Sequence, residues 1–419
     1  MKLTKEYLNT LPRGKLNKRV ELPDGRYAIY DTYMIPVKDL TFNVNNGRIN
    51  LAIAKYEGDE QNLPLAKIKE INVSEFNKMM IDFIKKSGAD NEVSFNKTKD
   101  DISNKGQIVP GIALEDGTVI DGNRRLACLM ELYNENNDEK YAYFQACVLS
   151  ELNQQQIQTV ELLANFNNEG IRPYELLPTL TMLYVNVLDP ITKKYSNEKY
   201  MKLMKLNQKD FDNQVHLIKI MLDFLEWNDT AKQFWLVDDN HWLEPLIKIA
   251  DAKINDDTWH QNRDYFYNMM KLNKNFTNSF SQLLSSLKKR TKMFEVFSQE
   301  YDKQIDVNII DEYNDLTNKN NLTINEEAKK EQMFNFINTK MNDSLRFAQY
   351  KQDTHNSCDV ISLIEKTMKN LHQKINEHNL TFLSANDQAI LKEKIADLKQ
   401  YLTKLDSCLT IDEETTGDN

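Results

Sequence analysis

The chain has 419 residues, 41% of them hydrophobic and 28% charged, a length that argues for two or three domains rather than one core. With 11 glycines and 9 prolines it is too poor in turn formers for an all-β fold. Its net charge of −10 does not advertise nucleic-acid binding, though it leaves room for a local basic face. Cys128, Cys147, Cys358 and Cys408 stand far apart with no CxxC pair, so neither a zinc site nor a disulfide framework is implied. No apolar run reaches the ~18 residues of a membrane span. Met1 to Val20 is polar and basic, unlike a secretory signal, and the expected location is the cytoplasm.

Residues 1–55 read as irregular, with turns at Pro12, Pro23-Asp24-Gly25 and Asn45-Asn46-Gly47 and a short strand at Tyr27-Ala28-Ile29-Tyr30. Leu65 to Ser87 reads as one helix, with Ile68, Ile71, Phe76, Met79, Met80 and Phe83 on a broad face. Gly88 to Lys105 is polar and is expected to be an exposed loop. Ile108 to Leu114 reads as a buried strand, Glu115-Asp116-Gly117 as a hairpin turn and Thr118-Val119-Ile120 as its partner strand. Asp121-Gly122-Asn123 breaks the chain before helical spacing resumes from Arg124 to Leu132, and Ala142 to Leu149 is a further strand.

Beyond residue 151 the pattern is helical: Gln154 to Phe166, Pro173 to Val187, Glu198 to Leu206 and Gln208 to Trp227, with a tight turn at Asn207. Trp235, Trp242 and Trp259 are expected core aromatics, and Asp311 to Asn325 reads as a linker. Ile364, Met368, Leu371 and Ile375, then Leu391, Ile395, Leu398, Leu402 and Leu405, recur at heptad-like spacing, with Ser384 as N-cap. Two such helices suit an antiparallel hairpin or a seam between copies, so a homo-oligomer or a protein partner is expected there. The acidic tail from Asp412 is expected to be disordered.

The strand–turn–helix at Asp121-Gly122-Asn123-Arg124-Arg125 carries the chemistry. A helix that opens after a glycine turn aims unpaired backbone N–H groups at one spot, where the helix dipole favours an anion. Gly122 permits close approach of a ligand. Arg124 and Arg125 occupy a first turn where cations are unfavourable unless an anion sits between them and the N–H groups. Asp121 can hold a metal or a ribose hydroxyl, and Asn123 can cap the helix. The competing reading is a solvent-facing turn with the arginines paired to Glu131 or Glu115.

The stretch from Gln107-Ile108-Val109-Pro110 through Ile120-Asp121-Gly122-Asn123-Arg124-Arg125-Leu126-Ala127 resembles the ParB N-terminal fold, shared with sulfiredoxin, KorB-like regulators and certain defence proteins. A second block, Ala164-Asn165 through Pro173-Tyr174-Glu175, is similar to the family's E-N-x-x-R-x-x-L-x-P-x-E motif. The resemblance covers residues 40–180 and continues weakly to 225. It implies a ParB/sulfiredoxin-like domain at 1–150 followed by a possible helix-turn-helix at 196–222; together with the helical spacing farther along, the expected fold is α+β, with a helical domain at 151–310 and a helical segment at 326–419.

It also implies a nucleoside triphosphate, CTP or ATP, with magnesium. Gly122, Asn123, Arg124, Arg125 and Asn165 would then bind nucleotide, Asn165 would touch the metal, and Asp121 and Glu169 would be the catalytic candidates. The departures weaken turnover: Asn123 replaces the usual Glu, and Ala164 and Asn168 replace the Glu and Arg of the second block. Sulfiredoxin activity is not expected, because Asn123 stands at the cysteine position and Cys128 falls on the buried helix face.

Residues 184–222 hold seven lysines against four acids. With Phe211, Val215, Ile218 and Leu222 as core stripe, Lys209, Asn213, His216 and Lys219 would face outward towards DNA. The function expected is a ParB-like DNA-associated protein with a nucleotide-binding turn. The alternatives are a nucleotide-dependent nuclease or phosphotransferase of the phage-defence sort, and a non-catalytic interaction protein that keeps the fold.

Overall fold

A computed structural model describes residues 2–59, 61–87, 91–150, 152–166, 175–272, 277–319, 322–374 and 384–408. It is a mixed α+β protein, with a curled five-stranded sheet in its N-terminal part and helices towards its C-terminus. The chain falls into two compact units, residues 1–291 with 305–341, and residues 292–304 with 342–419. The expected boundary at 150 lies inside the first unit.

The sheet orders its strands β3 (Tyr33–Pro36), β7 (Tyr143–Leu149), β5 (Gly111–Leu114), β6 (Thr118–Asp121) and β4 (Thr41–Phe42). Pairing alternates across it: β3 and β7 are antiparallel, β7 and β5 parallel, β5 and β6 antiparallel, β6 and β4 parallel. The hairpin β1 (Lys18–Glu21) and β2 (Tyr27–Tyr30) is a separate antiparallel pair. The expected turns hold. Gly25 N–H donates to Leu22 O at 2.9 Å, Gly117 N–H to Leu114 O at 3.0 Å, and both glycines have positive φ.

Both faces of the sheet are covered, which is why its central strands read as continuous apolar runs rather than alternating ones. On one face Ala113, Val119, Phe144 and Ala146 meet α4 (Val73–Lys86), α5 (Asn91–Lys105) and α6 (Asn123–Asn136) through Phe76, Met80, Phe95, Ile102 and Leu126. On the other, Ile112, Ile120, Cys147 and Leu149 meet Val20 of β1 and Val160 of α7 (Gln154–Phe166).

Several expectations are corrected. The helix expected over 65–87 is two, α3 (Leu65–Ile71) and α4, broken at Asn72, whose side chain leaves the helix to accept the N–H groups of Ser74 and Glu75. Ile71 is consequently exposed. The polar stretch expected as a loop contains α5, held by only two fully buried apolar side chains, Phe95 and Ile102, against α6. Ile108 and Val109 are exposed rather than buried, because Pro110 has no N–H to continue the ladder. The Gln107 side chain stands in for a strand there, accepting the Gln145 N–H at 2.7 Å and donating to Gln145 O at 2.8 Å.

In the helical part, α8 (Leu176–Leu183) starts later than expected, while Pro173 and Tyr174 lie outside the described residues. Next come α9 (Asn197–Met204), α10 (Gln208–Trp227), α11 (Trp235–Asp239), α12 (Leu243–Ala252), α13 (Asp256–Leu272) and α14 (Thr277–Lys289). Trp259 is buried, but Trp235 and Trp242 are half-buried. The expected linker is mostly α16 (Val307–Asn318), capped by Asp306 and burying Ile310 and Tyr313.

The second unit comprises α15 (Lys292–Gln304), the end of α17 (Ile324–Lys374) and α18 (Ala385–Cys408). Ser384 does cap α18, its Oγ accepting the Asp387 N–H at 3.1 Å. Met368, Ile395, Leu398 and Leu402 are exposed. Ile375, the acidic tail from Asp412, and the side chains of Ile364, Leu371 and Leu405 lie outside what is described. Among the described residues no helix is long and apolar enough to cross a membrane.

Because α5 is anchored by so few apolar groups, Phe95→Ala should lower unfolding free energy by about 3–5 kcal/mol in denaturant titration. A surface loop at 88–105 would show no such loss.

Candidate functional site at the carboxyl end of the sheet

Strand β6 ends at Asp121, and Gly122 takes a left-handed conformation (φ 98°) that turns the chain directly into α6. No side chain caps this helix, and its first turn holds no acid. Asn123, expected as the cap, is instead the first helical residue; it is buried, and its Oδ1 has no hydrogen-bond partner. The uncapped first-turn N–H groups and the dipole leave this end of α6 electropositive.

The turn is an interior feature, not a solvent-facing one. Asp121 is 4% exposed and accepts a hydrogen bond from Lys18 Nζ at 2.8 Å, while Arg125 Nη2 reaches its other oxygen at 3.3 Å. Arg125 folds back over Gly122 so closely that a Cβ there would lie 2.8 Å from Nη2 and 2.9 Å from Phe144 Cζ. Only glycine fits. Arg124 Nη1 donates to Ser94 Oγ of α5 at 3.0 Å. Glu131, one of the carboxylates considered from sequence, is paired with Lys85 and Lys99.

Strands β4 and β6 are parallel, so the loop 43–49 leaves the sheet at the same end as the 121–125 turn. In that loop Asn43 Oδ1 accepts the Asn45 N–H, and Asn46 Oδ1 the Arg48 N–H, each at 3.0 Å. Asn43 Nδ2 donates at 2.7 Å to Oε2 of Glu161 on α7. Burial pushes the Glu161 carboxyl up to about 8, the Asp121 charge acts the same way, and Asn43, the Gly47 N–H and Lys194 oppose them. Glu161 is thus chiefly a neutral acid at pH 7. A pocket of about 250 Å³ opens beside it, between the 43–49 loop, α2 (Asn50–Glu57), α7 and α8 with the turn that follows.

Comparison of the chain with protein-family models, with curated proteins and with solved structures returns no match.

Of the residues singled out from sequence, Asp121, Gly122, Asn123, Arg124 and Arg125 come together at this end of the sheet. Asn165 sits on the last turn of α7 with its side chain outside the described set, and Glu169 lies outside the described residues. Lys209, Asn213, His216 and Lys219 are remote in sequence on α10. Lys209, Asn213 and Lys219 are exposed and His216 is half-buried. The core stripe of α10 runs through Phe211, Leu217, Ile218, Met221, Phe224 and Leu225, and Val215 and Leu222 are only half-buried. Cys128 is fully buried, and its thiol is pushed up to about 12 by desolvation, which removes it as a nucleophile.

Both oxygens of Asp121 are engaged by cations, and no group of three or more His, Cys, Asp or Glu side chains converges among the described residues. Sequence reasoning missed Lys18 and Glu161. Each lies in an ordinary amphipathic segment, and only the fold brings it to the turn.

Breaking the buried pair with Lys18→Met should cost about 3–5 kcal/mol, measured by denaturant titration, and adding Asp121→Asn should recover part of it. Glu161 binds its proton more tightly in the fold than in the unfolded chain. Its contribution is therefore complete below about 4.5 and is lost as pH rises through about 8. Glu161→Gln should flatten the decline of thermal stability across that window and leave the variant more stable than wild type above it.

Proposed function

We propose that the chain is a ParB-like, DNA-associated protein that holds the phosphates of a nucleoside triphosphate, CTP or ATP, at the Asp121–Arg125 turn. The observation that carries this reading is the uncapped, acid-free start of α6 behind a glycine that cannot bear a side chain, at the carboxyl end of a parallel strand pair. Ligands of α/β sheets sit at such ends.

Binding is favoured over turnover. Asp121 is neutralised by Lys18 and Arg125, and Glu161 is protonated near neutrality, so neither carboxylate is free to activate water. The DNA half rests on α9 and α10, joined through Lys205 in a left-handed conformation and Asn207 as N-cap, with Lys209, Asn213 and Lys219 on the exposed face.

Saturating CTP or ATP should raise the melting temperature, by an amount equivalent to about 2.7 kcal/mol at a hundred times Kd. Arg124→Ala should abolish the shift, and it is the cleaner substitution because Arg124 stands outside the Lys18–Asp121–Arg125 ion pairs. Duplex DNA should be retained at low salt, and Lys209→Ala with Lys219→Ala should reduce the salt slope by about 2. Absence of any nucleotide shift would overturn the first half, and absence of DNA retention at low salt the second.

A further inference from the structure

The charge of this chain is unevenly spread. Residues 265–294 contain six cations, Lys271, Lys274, Lys288, Lys289, Arg290 and Lys292, and no Asp or Glu, although the net charge is −10. The end of α14 collects three of them. Lys288 and Lys289 form its last turn, Arg290 follows, and all three are exposed. No ion pair among the described residues involves them. On α12, the helix packed against α14, Glu244 is held by Lys248 at 3.0 Å, and Asp251 is the other acid.

A helix C-terminus attracts cations by itself, because its last carbonyls are left over. Here the backbone closes that end. Arg290 N–H donates to Leu287 O at 3.3 Å and Thr291 N–H to Ser286 O at 3.0 Å. Arg290 sits in the left-handed region (φ 53°), and the Ser286 and Thr291 hydroxyls meet at 2.6 Å. The three cationic side chains are therefore not needed as caps, and the turn that carries them is fixed.

The same face continues back along the helix. Ser281, Gln282 and Ser285 precede Lys288 and Lys289 at spacings of three and four, while Leu283, Leu284 and Leu287 point into the core. The outward face thus offers ammonium, guanidinium, hydroxyl and amide groups and no carboxylate, the set that proteins direct at a sugar–phosphate backbone. A membrane surface would call for an apolar side chain to insert, and the described part of α14 exposes no large hydrophobic residue. We propose that the C-terminal end of α14 is a contact for the phosphate backbone of double-stranded DNA. Lys288, Lys289 and Arg290 each neutralise a phosphate and release its counterions, so binding through this end is indifferent to sequence. The proposal rests on the reading that the chain associates with DNA, but on residues other than those of α10.

Retention of two unrelated duplexes by the full chain, measured across a salt series from about 50 to 200 mM, tests this. Lys288→Gln, Lys289→Gln and Arg290→Gln together should weaken retention at least about tenfold and lower the salt slope by about 3, equally for both duplexes. Arg290→Gln alone should lower the slope by about 1. Lys15→Gln, Lys38→Gln and Lys78→Gln, which remove the same charge from exposed positions elsewhere, should leave the slope unchanged. An unchanged slope in the α14 variant, or an equal fall in the control, would overturn the proposal, as would no retention of either duplex. Lys209→Ala with Lys219→Ala separates the two surfaces. If that pair lowers the slope and the α14 variant does not, the DNA reading stands and this proposal falls; the reverse result upholds this contact and removes the one on α10. Co-sedimentation with anionic phospholipid vesicles that is lost in the α14 triple variant would assign the surface to a membrane and overturn the proposal.

Discussion

Lys18 and Asp121 lie 103 residues apart in the chain and meet at 2.8 Å with both side chains almost wholly withdrawn from water. Desolvating two charges costs about as much as their attraction returns, so such a pair adds little net stability but makes any misplacement expensive. Here it fastens the β1–β2 hairpin to the end of β6. Arg125 adds a second cation to the same carboxylate and closes over Gly122. The position of the α6 N-terminus therefore depends on a contact that no local propensity encodes.

That constraint propagates to the rest of the site. Glu161 on α7 is packed beside this end of the sheet, and its burial, with a smaller contribution from Asp121, drives the carboxyl towards its neutral form. Asn43 ties Glu161 to the loop after β4, so three segments from distant parts of the chain share one polar cluster. The α6 turn at one end of this cluster offers N–H groups and guanidinium. An anion suits that end.

Much of the fold was legible because local signals agreed with it. The β5–β6 hairpin follows from Glu115-Asp116-Gly117 between apolar runs, α9 and α10 from their spacing around Asn207, and the α18 cap from Ser384. The failures share a cause. Asn72 interrupts an apparently continuous helical pattern by bonding its own neighbours, and α5 hides two core residues in a polar sequence. The segment from Asp311 reads as a linker by composition, yet Ile310 and Tyr313 are enough to hold α16. In each case a few tertiary contacts outweighed composition.

Asp121-Gly122-Asn123-Arg124-Arg125 by itself determined a strand end, a glycine turn and a helix start able to attract an anion, because those properties reside in backbone geometry and in the helix dipole. It did not determine the state of its own charges. That Asp121 is buried and paired with Lys18, that Asn123 is a helical residue with an unfilled oxygen rather than a cap, and that burial pushes the Glu161 carboxyl up were decided only by tertiary structure. Dielectric environment and long-range pairing arise from what the fold packs around a group, and neither is written in the residues adjacent to it.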